Sequence, residues 1–130
     1  MITGIHHLTF LVRDLDASLG PWSALLDQTP RFDTLAERGV ITARFLLGTT
    51  WLVLAQPVGS ESIPARHLAK HGEGFFLLSF AVPDLVQGET DLALAGIAMQ
   101  GSARRGVEGW PIQDINPSLF SGVQLQLCGI

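Results

Sequence analysis

The sequence predicts an α+β fold made of two βαβββ modules, and a repeat carries most of that prediction. A run of β-branched and aromatic residues from Ile5 ends in Val12-Arg13-Asp14-Leu15, and a similar run from Phe75 ends in Val82-Pro83-Asp84-Leu85. The two Val-x-Asp-Leu copies lie 84 − 14 = 70 residues apart. Each copy is followed by one amphipathic stretch and then three short strand-like runs. An open sheet with a helix on one face needs cover on the other, which a second copy of the unit can supply.

The first strand covers Thr3 to Val12. Asp14 can then accept backbone N–H bonds as a helix cap, and Asp16 suits the positive helix end. A helix is expected over Leu15 to Leu26, with Leu15, Leu19, Trp22, Leu25 and Leu26 on one stripe. Pro21 lies inside it, where proline costs about 3 kcal/mol, so a kink or a later start near Pro21 is expected. Thr29-Pro30 ends the element. Strands follow over Arg31 to Ala36, Val40 to Leu47 and Trp51 to Gln56, with turns at Glu37-Arg38-Gly39 and Gly48-Thr49-Thr50.

Residues 1–57 thus form the first module. Residues 58–74 are a linker rich in Gly, Pro and Ser, with a short helical turn expected over Ile63 to Lys70. Residues 75–130 form the second module. Its elements are a strand over Phe75 to Val82, a helix from Leu85 to Ala95 capped by Asp84 and stopped by Gly96, and strands over Ile97 to Gly101, Pro111 to Ile115 and Gly122 to Leu127.

Apolar residues make up 47% of the chain and charged ones 15%, enough for a large core and too apolar for disorder. The net charge of −4 argues against a nucleic-acid partner. Arg104-Arg105 reads as a solvated turn. Cys128 is the only cysteine, so no intrachain disulfide can form, which fits a reducing compartment. With no charged-then-apolar leader and no apolar run of spanning length, a cytoplasmic protein without membrane contact is expected.

Four features together resemble the vicinal oxygen chelate superfamily, which includes glyoxalase I, methylmalonyl-CoA epimerase, extradiol dioxygenases and bleomycin-resistance proteins. They are Ile5-His6-His7 running to Asp14-Leu15, Leu47-Gly48-Thr49-Thr50 before a strand, Phe80 to Leu85, and Asn116-Pro117 followed by Gly122 to Leu127. The methylmalonyl-CoA epimerase branch is nearest in layout, Gln56-Pro57-Val58-Gly59 included. The resemblance implies one domain, an eight-stranded half-open cup with helices outside, and a homodimer. It also implies a divalent metal held by the first and fourth strands of each module. Those positions fall here on His7, Val53, Leu77 and Gln126. Two are aliphatic and offer no lone pair, so no metal and no other cofactor is expected. Epimerase, glyoxalase and dioxygenase chemistries lean on that ion.

Strand alternation then gives the lining of the cup. With His7 facing in, Thr9 and Leu11 follow, while His6, Phe10 and Val12 pack under the helix. Trp51 and Val53, Phe75, Leu77 and Ser79, and Gln124, Gln126 and Cys128 face in by the same rule. Pairing across Gly48 sets Arg44 opposite Val53, so Arg44 and Thr42 face in while Ile41, Ala43, Phe45 and Leu47 face the core. An apolar wall with a few polar groups is how a small-molecule pocket looks. The expected ligand is small, largely apolar or aromatic, and possibly acidic, as in drug-sequestering members of the family. The alternatives are a lyase or isomerase using His7, Arg44 and Gln126, or a metal enzyme with other ligands.

Arg44 needs a partner if buried: Asp114, Glu37 or a ligand acid, unless it reaches solvent. His7 is the candidate catalytic residue, as a general base, or else a histidine bonded to Gln126. Trp110 is a core or dimer contact, or a lid over the cup. His67 and His71 share a helical face at i, i+4 but lack a third metal ligand. Cys128 has no nucleophile partner in the pattern and reads as a small apolar filler.

Overall fold

The computed structural model describes residues 1–130. The expected α+β organisation is present: β1 (Gly4–Leu11), α1 (Leu15–Leu26), β2 (Arg31–Leu35), β3 (Val40–Leu47) and β4 (Thr50–Pro57) repeat as β5 (Gly74–Val82), α3 (Leu85–Leu94), β6 (Met99–Arg105), β7 (Pro111–Ile115) and β8 (Gln124–Gly129). Between them lies α2 (Ile63–His71), where a helical turn is expected. The hydrogen-bonded strand order is β2-β3-β4-β1-β5-β8-β7-β6. Contacts divide the chain into two compact units, residues 8–76 and residues 1–7 with 77–130.

The repeated motif caps both helices in the same way. Asp14 accepts from Ala17 N–H, and Asp84 accepts from Gln87 N–H, each at 3.1 Å. Helix α1 starts at Leu15 and continues through Pro21, so the later start is excluded. Gly96, at φ 80°, takes the left-handed conformation that ends α3 and suits a residue without a Cβ. Strand β6 begins two residues later than expected, and so does β8, because Ser121 and Gly122 sit at φ 56° and 78° in a turn.

In the 8–76 unit, Val12, Leu15, Ala43, Phe45, Leu52 and Leu54 form a core, with Phe10, Leu19, Trp22, Leu26 and Ile41 packed on it. Trp22 is therefore a core residue, its ring 5.6 Å from Phe10. The register sets Arg44 opposite Val53, as the Gly48 turn predicts. Leu47, expected in the core, is exposed at the strand end.

In the other unit, Val82, Ile115 and Leu127 are the centre of a core that Phe80, Leu85, Leu92, Met99 and Leu125 complete. Helix α3 lies close to the sheet at Gly88, where an added Cβ would come within 3.2 Å of Leu127. The parallel β5–β8 register pairs Leu77 with Gln124, Ser79 with Gln126, and Ala81 with Cys128. Side chains opposite one another share a face, so these six lie on one side and the α3 core on the other.

Candidate functional site

The predicted site residues fall into two groups. His7, Leu77, Ser79, Trp110, Gln124 and Gln126 belong to the unit of residues 1–7 and 77–130, and Thr9, Arg44, Trp51, Val53 and Phe75 to the 8–76 unit. His7, Arg44, Val53, Leu77, Ser79 and Gln126 are buried, and Thr9, Trp51, Trp110 and Gln124 half-buried. Phe75 is exposed on the strand and stands edge-on to Phe10, ring centres 5.9 Å apart.

Of the two cross-strand cations Arg44 is buried, 1% exposed, and Arg104 only half-buried. Its Nε donates to Asp33 Oδ2 at 3.1 Å, and its guanidinium lies 4.3 Å from the centre of the Trp51 ring. The partners expected for it, Asp114 and Glu37, are not the ones observed here. Asp33 stands opposite Thr42 on β2 and reaches Arg44 diagonally, two residues along. That diagonal is set by the β2–β3 register beyond the turn at Glu37-Arg38-Gly39.

Asp114 has its own cation. Arg104 Nε and Nη2 donate to its two carboxylate oxygens at 3.0 and 3.2 Å, so Arg104 is a strand residue in an ion pair rather than part of a solvated turn. A register shift between Gln100 and Arg104 brings the guanidinium there. Gln113 fills the irregularity by donating to Gln100 and Gly101 carbonyls. Sequence periodicity carries no signal for this bulge.

Gln126 Nε2 donates to Asp114 Oδ1 at 3.0 Å. A carboxylate only accepts, so this bond fixes the amide orientation and turns Oε1 the other way. Gln126 Oε1 and Ser79 Oγ, on directly opposed residues, are both buried without a hydrogen-bond partner. Each such atom costs free energy unless something meets it.

His7 is bonded to its neighbour rather than to Gln126: the Nδ1 atoms of His6 and His7 are 2.9 Å apart. One of them carries the proton and donates to the other. Trp110 packs against both rings, at 4.5 Å from His6 and 5.0 Å from His7. His6 is therefore not packed under α1 as expected; its contacts are His7 and Trp110. Burial first, then the His6 and Arg104 charges, push His7 down to about 3, so it is neutral at physiological pH. Burial also lowers His6. Cys128 is fully buried, and burial pushes its thiol up to about 11. One donor atom each from His6, His7 and Cys128 lie within 4.8 Å of one another. Gly106 anchors the loop that presents Trp110: its N–H donates to the Trp110 carbonyl at 2.8 Å.

The residues at the four metal positions implied by the resemblance do not suit a divalent ion. Val53 and Leu77 are buried hydrocarbon, and the Gln126 amide is already engaged through Nε2. One imidazole and one amide oxygen fall short of the three or more donors such ions take. His67 and His71 stack at 4.5 Å on α2, with His67 against Phe76.

Similarity to known proteins agrees with the fold. The structure matches a Mycobacterium tuberculosis methylmalonyl-CoA epimerase with a TM-score of 0.92 and 26% identity, covering 98% of this chain and 88% of that one. It matches a Streptomyces coelicolor methylmalonyl-CoA epimerase in complex with 2-nitronate-propionyl-CoA with a TM-score of 0.91 and 26% identity, over 99% and 98% of the two chains. A sequence comparison with curated proteins finds no match. Residues 3–113 match the family model described as Glyoxalase/Bleomycin resistance protein/Dioxygenase superfamily, and the chain belongs to that superfamily.

Proposed function

We propose that the protein binds a small, largely apolar molecule carrying a hydroxyl or N–H group, without a metal ion held by the four family positions as a set. The observation that carries this reading is the opposed pair Ser79 Oγ and Gln126 Oε1, both buried and unpartnered. Gln126 Oε1 can only accept, so the ligand brings the donor, and Ser79 can then donate or accept. Leu77, Ala81 and Ile112 share that face by register and supply apolar contact. Each apolar group buried by the ligand contributes roughly 1.5–3 kcal/mol, so a few contacts and two hydrogen bonds support micromolar affinity. An imidazole titrating near 3 is a weak proton acceptor at neutral pH, which favours binding over proton abstraction by His7.

Calorimetric titration with substituted phenols, aromatic amides and matched analogues lacking the donor tests this. Binding of the donor-bearing compounds, weakened about tenfold or more in Ser79→Ala, supports it. Equal binding of the analogues, or an unaffected Ser79→Ala variant, overturns it.

The epimerase-like structures, at 26% identity over nearly the full chain, favour a second reading in which the ligand is an acyl-CoA thioester that reacts. Incubating methylmalonyl-CoA with the protein in D2O and following the α-proton by NMR decides between them. Exchange catalysed by wild type and lost in His7→Ala supports turnover; no exchange supports binding alone.

A further inference from the structure

The cluster at the start of β1 has chemistry that the ligand-binding reading leaves unused. We propose that His6, His7 and Cys128 form a three-donor site for a borderline-soft divalent ion such as Zn2+, sharing only His7 with the four positions where the superfamily resemblance places a metal. Adjacent residues on a strand ordinarily point to opposite faces, yet the two Nδ1 atoms here are 2.9 Å apart. The fully buried sulfur of Cys128 completes a set whose donor atoms all lie within 4.8 Å. Around a tetrahedral ion with Zn–N near 2.0 Å and Zn–S near 2.3 Å, donors stand roughly 3.5 Å apart, so small side-chain rotations suffice.

Two imidazoles and one thiolate are the donor types that such ions select over oxygen-only sites. A fourth position stays open for water or a ligand atom, as in three-donor zinc centres. Trp110 covers the pair of rings and limits solvent on that side. The nearby Arg104 charge is offset by its two-bond pairing with Asp114. Binding breaks the His6–His7 hydrogen bond, and each ring keeps one proton on the nitrogen that does not hold the ion. The Cys128 S–H bond is replaced by a sulfur–metal bond, and its proton leaves to solvent.

Titration of the metal-stripped full chain with Co2+, followed by Zn2+, tests the proposal. Cys128 is the only cysteine, so a thiolate-to-cobalt charge-transfer band reports this site alone. The expected result is a band that saturates at about one equivalent and is displaced by Zn2+. It disappears in Cys128→Ala, and His6→Ala weakens binding about tenfold or more. Absence of the band in folded wild type, or unchanged affinity in His6→Ala, overturns the site. If Cys128→Ala fails to fold, the half-buried His6→Ala variant decides alone. No organic ligand enters the assay, so its failure leaves the proposed ligand-binding function untouched.

Discussion

The Asp33–Arg44 and Arg104–Asp114 pairs occupy equivalent strands of the two modules with their charges exchanged. Arg44 on β3 and Asp114 on β7 are 114 − 44 = 70 residues apart, the spacing of the capping repeat. Their partners on β2 and β6 are 104 − 33 = 71 apart, the extra residue falling near the β6 irregularity. The residue opposite each on the fourth strand differs as well: Val53 beside Arg44, Gln126 beside Asp114. In the first module the buried charge is a cation that stacks on Trp51 and leaves hydrocarbon next to it. In the second the same slot holds a half-buried anion, and it orients an amide whose oxygen is left without a partner. The same backbone slot therefore gives a packed strut in one module and a hydrogen-bonding surface in the other.

Arg44→Ala should be the most damaging change, because it removes a buried cation and its packing on Trp51 together. A loss of about 3 kcal/mol in urea unfolding is expected, with Arg44→Met recovering part of it. Equal stability of the alanine variant would mean that the strut role is wrong. Asp114→Ala should cost about 2–3 kcal/mol by leaving Arg104 and the Gln126 amide without their acceptor. It should also weaken ligand binding, because Gln126 is then free to turn; Arg44→Met should not, and that contrast is measurable by calorimetry.

Acid should expose the second difference. Folded His7 stays neutral down to about 3, whereas the unfolded chain takes up a proton near 6.5. The unfolded state thus binds more protons between those values, so stability is intact above pH 6.5 and falls as pH drops toward 3. A loss of about 2 kcal/mol by pH 5 is expected, and a His7→Asn variant should show a flatter profile in pH-dependent thermal melts. The smallest effects belong to the feature that the modules share. Asp14→Ala and Asp84→Ala should each cost about 1 kcal/mol, and unequal losses in chemical denaturation would show that the two caps are not equivalent.

Much of the fold was legible because repeated local chemistry determines local structure. The capping aspartates, the glycines at the turns and the period-two strands located the elements, and the Gly48 turn put Arg44 opposite Val53. The buried polar face was partly legible for the same reason: alternation put Ser79 and Gln126 on one side of their strands. Partner choice was not legible. Asp33 was missed for Arg44 because diagonal contacts depend on register two residues away. Arg104 was read as a solvated turn because the bulge at Gln100 to Arg104 leaves no periodic trace.

The sequence alone therefore determined the modules, their caps, the strand faces and the hydrocarbon at Val53 and Leu77, since these depend on side-chain type and spacing along the chain. Tertiary structure decided which charges pair, which amide oxygen is stranded, and that His6 and His7 meet Cys128, because those contacts join residues 10 to 122 positions apart whose distances are set by register and packing.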